Sequence, residues 1–370
     1  MKNIVLQRRI AVRCWNVLGM VAKASKRPEL MPVLLRAREQ THTSAEDVAE
    51  HLFFEQRSRR VVAERLLRIA ASYGLLVQAE HEFRLTEAGI TALESEQIFV
   101  PERGSWTIWA SDDPMLDYPV LRVDPWSEPT AFDEVRRVND RESDAREFLD
   151  VPRTLRAAVG RVAAPPGGGG SVLRLDELAD RAESIEPDDN LKLVWNVGER
   201  KLRLEGTLRD ARLSTVLEAP NIPLEDVWQQ FLEAQGLWSS WDRTRNALLV
   251  GFEETSDRER ESLLRDLAIT TPTLSDFGKF DALTIQGVPL HARTPSDAGH
   301  WAAWRLQARL RDYATRERFD AWTKDAMEPF ATYRISVPSR ADLARDAWAR
   351  RGDRPSPIAW HLAAAEDWSL

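Results

Sequence analysis

Between Leu30 and Leu93 the apolar residues change their period twice, and no other feature restricts the fold of this chain as much. Leu30, Val33, Leu34 and Ala37 recur at helical spacing, which predicts a first helix over Leu30 to Arg38. Thr41-His42-Thr43-Ser44 supplies a turn. Thr43 to Glu46, or Ser44 to Asp47, fits a capping box in which a hydroxyl and a carboxylate satisfy the free N–H groups of a second helix ending near Leu52. After Phe53 and Phe54 a longer third helix is expected from Gln56 to Tyr73, with Val62, Leu66, Ile69, Ala70 and Tyr73 facing inward. Gly74 suits the end of that helix, because a left-handed backbone costs glycine little. The period then falls to two. Leu75 to Gln78 and Glu82 to Leu85 alternate as paired strands, and Thr86 to Leu93 starts another helix.

On the outward side of the third helix, spacing of three to four residues aligns Arg57, Arg60, Glu64 and Arg68, with Arg59 and Arg65 beside them. Arginine's planar fork pairs with guanine edges or clamps phosphates. These residues, with Arg84 on the second strand and Lys26 and Arg27 ahead of the first helix, are the expected nucleic-acid-binding set. A solvated face with arginine paired to Glu64 is the alternative reading.

The order of elements, together with Tyr73-Gly74-Leu75-Leu76-Val77 and Phe83-Arg84-Leu85-Thr86-Glu87-Ala88-Gly89, resembles the winged helix-turn-helix superfamily, particularly MarR-like regulators. The resemblance covers residues 30–97 only; the remaining residues resemble no family. It implies a recognition helix in the major groove, hence double-stranded DNA as partner. The tip Ala79-Glu80-His81-Glu82 is acidic where a wing lying on phosphates would gain from lysine or arginine. A module that serves only protein contact or homodimerisation is therefore the second expectation.

The chain carries a net charge of −8, but Met1 to Gln78 holds 14 Lys or Arg against 7 Asp or Glu, leaving −15 for the rest. A basic part on an acidic body suits contact with a polyanion through one part only. Much of that charge lies in residues 1–29, where Lys2, Arg8, Arg9, Arg13, Lys23, Lys26 and Arg27 flank the apolar stretch Ile10 to Ala24. Arg13 and Asn16 interrupt the stretch, so it is expected as an amphipathic helix or arm, neither a leader peptide nor a membrane span. The lone Cys14 excludes an intramolecular disulfide and a cysteine-based zinc site, and suits a cytoplasmic protein.

Beyond the module the expected fold is α+β and multidomain. Residues 98–162 read as strands at Ile98 to Val100 and Trp106 to Trp109, a proline-rich passage, and a charged helix from Asp133 to Leu149. Residues 163–171, with Gly167 to Gly170, read as a linker. Residues 172–290 then form a small α+β domain containing a hairpin around Gly198, a helix from Leu224 to Gln235 and a buried strand from Ala247 to Phe252, and residues 291–370 form a helical C-terminal region. The 14 Trp are spread from Trp15 to Trp368, as expected of several separate cores.

Familiar catalytic patterns are absent: no phosphate-binding loop, no His-Glu-x-x-His, no Gly-x-Ser-x-Gly, no dinucleotide fingerprint. His291 and His300, separated by Pro295 and Gly299, do not set a metal geometry. Asp112, Asp113, Asp117 and Asp124 read as turn formers rather than as a Mg²⁺ cluster. No catalytic residue, metal or cofactor is expected, though an enzyme with an unrecognised site in residues 172–370 is the third reading. Ser356-Pro-Ile-Ala-Trp360-His361 and Glu366-Asp367-Trp368 fit either a docking peptide or packing against their own domain. The first reading is a non-catalytic DNA-binding adaptor or regulatory subunit of a bacterial multi-protein assembly, in genome defence or DNA processing beside a helicase or nuclease. A transcriptional regulator is a further alternative.

Overall fold

The computed structural model describes residues 3–53, 57–126, 148–185, 189–349 and 357–362. The chain is mixed α+β and divides into two compact units, the first made of Arg8–Trp195 with Lys201–Pro220, the second of Met1–Gln7, Asn196–Arg200 and Asn221–Leu370.

The N-terminal stretch expected as an amphipathic helix is instead two strands, β1 (Val5–Ile10) and β2 (Arg13–Ser25). Trp15, Val17 and Val21 point to one side of β2 with a period of two, into the core of the first unit. Trp15, Val17 and Val21 on one side of the run fit a sheet once flanking strands exist to cover both of its edges. Gly19 lets those neighbours approach, since a Cβ there would overlap the carbonyl oxygen of Glu177.

The module follows β2. It consists of α1 (Met31–Gln40), α2 (Ala45–Phe53), α3 (Arg57–Ser72), β3 (Leu76–Ala79), β4 (Glu82–Leu85) and α4 (Glu87–Ser95). Its core gathers Leu30, Val33, Leu34, Val48, Ala63, Leu67, Ala70, Leu75, Phe83 and Ala92. The chain then enters β5 (Ile98–Ala110), which pairs antiparallel with β2 residue for residue from Arg13↔Ala110 to Ser25↔Ile98. The module is thus an insertion between two adjacent strands, and its two ends leave from one cross-strand pair.

β6 (Val120–Pro125), β7 (Phe148–Asp150), α5 (Arg153–Ala157), β8 (Val162–Ala163), β9 (Leu173–Leu178) and β10 (Arg181–Ile185) follow. The seven-stranded sheet runs β6-β5-β2-β10-β7, with β9 also paired to β2 and β8 to β9. Of the charged helix expected from Asp133 to Leu149, residues 133–147 lie outside the described ones; its end is strand β7, paired with β10.

Residues 163–171 do not separate domains, because β8 and β9 on either side of them belong to the same sheet. Pro166–Gly168 forms a 3-10 turn, with Gly168 N–H donating to Pro165 O (2.9 Å) and Ser171 N–H to Gly168 O (3.2 Å). A Cβ on Gly167 would lie 2.6 Å from Leu208 Cδ2 and 3.0 Å from Leu121 O. Composition measures the freedom of glycine in isolation; here that smallness lets a turn pack closely.

The hairpin expected around Gly198 is present as β11 (Asn190–Asn196) and β12 (Lys201–Leu208), which β13 (Ala211–Glu218) extends into a meander. In the second unit α6 (Leu224–Ala234) buries Val227, Trp228, Phe231 and Leu232, as their spacing predicts. β14 (Trp241–Asp242), β15 (Ala247–Val250), α7 (Asp257–Ser262), β16 (Leu264–Ile269), the small pair β17 (Thr273–Leu274) and β18 (Gly278–Lys279), and β19 (Leu283–Ala292) come next. Four of these strands form a sheet in the order β14-β15-β19-β16. The helices α8 (Pro295–Arg309), α9 (Arg316–Met327), α10 (Arg340–Ala349) and α11 (Pro357–Leu362) close the unit. Trp360 is half exposed on α11 while Ala359 and Leu362 are buried, and His361 Nδ1 meets Leu310 O at 2.9 Å. Ser356, Glu366, Asp367 and Trp368 lie outside the described residues. No helix among the described residues is long and apolar enough to cross a membrane.

Candidate nucleic-acid interface

A polar network ties α1, the turn before α2 and the β3–β4 hairpin together. Thr43 is buried; its N–H donates to Phe83 O (2.9 Å) and its carbonyl accepts from Phe83 N–H (2.8 Å), which ties the turn before α2 to the hairpin. Its hydroxyl donates to Asp47 Oδ2 (2.8 Å), and Arg36 of α1 forks onto the same carboxylate at 2.9 and 2.6 Å. Ser44 caps α2 by accepting from Asp47 N–H (3.2 Å). The expected box is therefore half formed, because the carboxylate serves Arg36 and Thr43. Those hydrogen bonds, Arg36's first, hold the Asp47 carboxyl below its ordinary pKa. A depressed carboxylate pKa adds stability that is present above the unfolded value and lost as pH falls through the folded one. Far-UV thermal melts should therefore show the midpoint falling as pH drops below about 4, and Asp47→Asn should flatten that part of the profile. An unchanged profile would mean that the fork contributes nothing.

α3 differs in rotation from the expected helix. Ala63, Leu67 and Ala70 are buried, Leu66, Ile69 and Tyr73 are partly buried, and Val62, expected inside, is 49% exposed beside Val61 at 68%. The shift has a steric reason: alanine at 63 and 70 lets α3 lie close to its neighbours, whereas apolar character alone favours valine as the inward residue.

The rotation sorts the arginines. Arg65 and Arg68 lie on the outward face with Val61 and Ser72, and all four are exposed. Arg68 pairs with Glu64 one turn back (2.6 Å), with its side chain 67% exposed. Arg65 has no ion pair among the described residues. Arg60 turns toward Glu46 of α2 and pairs with it. Arg59, half-buried, donates to the carbonyl of Phe53 and so serves the turn between α2 and α3. Arg57 begins α3, but its side chain lies outside the described ones. Arg84 is exposed on β4 opposite Val77. Lys26 and Arg27 sit in the connection from β2 to α1, where Arg27 is 3.7 Å from Glu29. They are joined to the sheet rather than forming a free basic arm.

The acidic residues of the module change the charge reckoning made from the N-terminal 78 residues. Residues 30–97 contain eight Lys or Arg and eleven Asp or Glu. The surplus of positive charge belongs to β1, β2 and the connection. Gly74 (φ +73°) ends α3 as its sequence predicts, and Thr86 caps α4 by accepting from Gly89 N–H (3.1 Å) while donating to Gly74 O (2.6 Å).

The aspartates after β5 are each engaged. Asp113 accepts from Met115 N–H (2.9 Å) and pairs with Arg8 (2.5 Å), Asp112 accepts from Thr154 (2.5 Å), Asp117 pairs with Arg161 (2.9 Å) and Asp124 with Arg122 (2.7 Å). No group of three potential metal ligands occurs among the described residues. His291 lies on β19, its pKa lowered by burial and by Arg245, and His300 lies edge-on to Phe252. Comparison with family models, with curated proteins and with solved structures finds no match to this chain.

Proposed function

We propose that residues 30–97 form a winged helix whose α3 contacts duplex DNA, and that the chain acts as a non-catalytic DNA-binding subunit of a larger protein assembly. The observation that carries this reading is the outward face of α3, where Arg65 has no carboxylate partner among the described residues and Arg68 has only the exposed Glu64. An exposed pair one turn apart is worth about 0.3–0.5 kcal/mol, so a phosphate oxygen displaces it at little cost. The same holds for Arg60 and Glu46, both more than half exposed. Insertion of the module between β2 and β5 supports the reading, since both of its ends leave from one cross-strand pair and the module projects as a unit from the sheet's strands.

A second reading, protein docking through the same face, draws on the excess of carboxylates in the module, the acidic wing tip and exposed Val61 and Val62. Fluorescence anisotropy of labelled duplex DNA separates the two. DNA contact predicts binding that weakens steeply between about 50 and 200 mM salt, and a salt slope reduced by about 2 in the R65E/R68E double variant. No binding by the folded full-length chain at the lowest salt, or an unaltered slope in the variant, would overturn direct DNA recognition and leave the docking reading.

A further inference from the structure

We propose that the cleft between α7 and α9, floored by α8 in the second unit, binds a nucleotide, with its base against Trp304 and its phosphate among Arg258, Arg305 and Arg311. The cleft measures about 540 Å³, within the range of small-molecule sites. Trp304 and Ala308 lie one turn apart on α8 and both line it, so the alanine leaves open the space a turn below the indole. The Arg260 guanidinium lies 3.9 Å from the Phe252 ring centre and 5.9 Å from that of Trp304.

The lining carries four arginines against three carboxylates, a surplus of one positive charge. Its carboxylates Asp257 and Asp325 are already paired, with Arg260 (3.1 Å) and Arg309 (3.2 Å). Arg258, Arg305 and Arg311 have no ion pair among the described residues, and Glu261 is the one remaining carboxylate of the lining. Arg305 is the most telling of the three. Its Nη1 donates to Glu261 O (3.2 Å), but its Nε is buried with no acceptor among the described residues, and a buried donor is expected to have one. Burial, and then the neighbouring Arg309, lower its pKa against the opposing pull of Asp325 and Glu261, as expected of a partly desolvated guanidinium. Guanidinium groups beside an indole match a phosphate joined to a flat base, because arginine forks onto phosphate oxygens and every base can stack on a tryptophan. A bare anion would use only half of these features.

Isothermal titration of the full chain at low salt with adenosine 5′-monophosphate, adenosine and inorganic phosphate tests the proposal. The nucleotide is expected to bind about tenfold or more tightly than either fragment. R311Q, at an exposed position, and R305Q should each weaken nucleotide binding about tenfold, and W304L should bring it down to the level of phosphate. R65E/R68E should leave it unchanged, which separates this cleft from the α3 face. A 5′-phosphorylated oligothymidylate distinguishes the sources: tighter binding than the mononucleotide assigns the cleft to a strand end, equal binding to a free nucleotide. Binding no tighter than that of phosphate, wild-type affinity in both arginine variants, or no binding at all would overturn the proposal.

Discussion

Gly89→Ala is expected to cost about 3 kcal/mol, the upper end of what overpacking a tight contact costs, and to be the most damaging alanine substitution of a glycine in the module. Gly89 lies in the first turn of α4, where a Cβ would overlap the carbonyl oxygen of Leu75 and lie 2.6 Å from Leu85 Cδ1. The Leu75 carbonyl cannot withdraw easily. Leu75 N–H donates to Ala70 O and its carbonyl accepts from Thr86 N–H, so moving it disturbs the end of α3 and the cap of α4 together. Gly74→Ala is the control. Its φ of +73° is unfavourable for alanine but nothing lies within 4 Å, so about 1 kcal/mol is expected there. Urea unfolding of both variants, followed by circular dichroism, measures the difference. If Gly89→Ala proves no worse than Gly74→Ala, the close approach of α4 to the strand pair is not what requires glycine.

Trp301→Ala should destabilise the second unit by about 3–5 kcal/mol, as expected when a large aromatic is deleted from a core that cannot collapse around the gap. Trp301 is fully buried on α8, with Phe330 edge-on at 5.8 Å. Its indole Nε1 is buried without a hydrogen-bond partner among the described residues, a defect that costs about 1–3 kcal/mol in its own right. Trp301→Phe removes that unsatisfied donor while keeping most of the apolar volume, so its net cost should be much the smaller of the two. Equal losses in the two variants would show that the indole N–H is satisfied in solution.

The elements of the module were legible because each is marked locally. Ser44 and Thr86 cap helices, Gly74 ends one, and Leu75 to Leu85 alternates about a tight turn; all of these act within a few residues of one another. The helix at Leu224–Ala234 and the hairpin around Gly198 were readable for the same reason. The rotation of α3 was not. Val62 and Ala63 are adjacent and both apolar, and the choice between them rests on how closely α1, α2 and the hairpin pack. Which arginines remain available follows from that rotation, so Arg60 and Arg59 were indistinguishable from Arg65 until Glu46 and the Phe53 carbonyl were in place.

The sequence by itself determined the α+β class, the order of helices and strands between residues 30 and 97, and the turns that punctuate them, since these depend on propensity and capping over short range. Only the tertiary structure decided that residues 5–25 are strands, that 163–171 is a packed turn within one sheet, and that the module is inserted between β2 and β5. The physical reason is common to all three. A strand is satisfied by partners that are distant in sequence: β2 finds its hydrogen bonds on β5, β9 and β10, and nothing inside Arg13–Ser25 states where those partners lie.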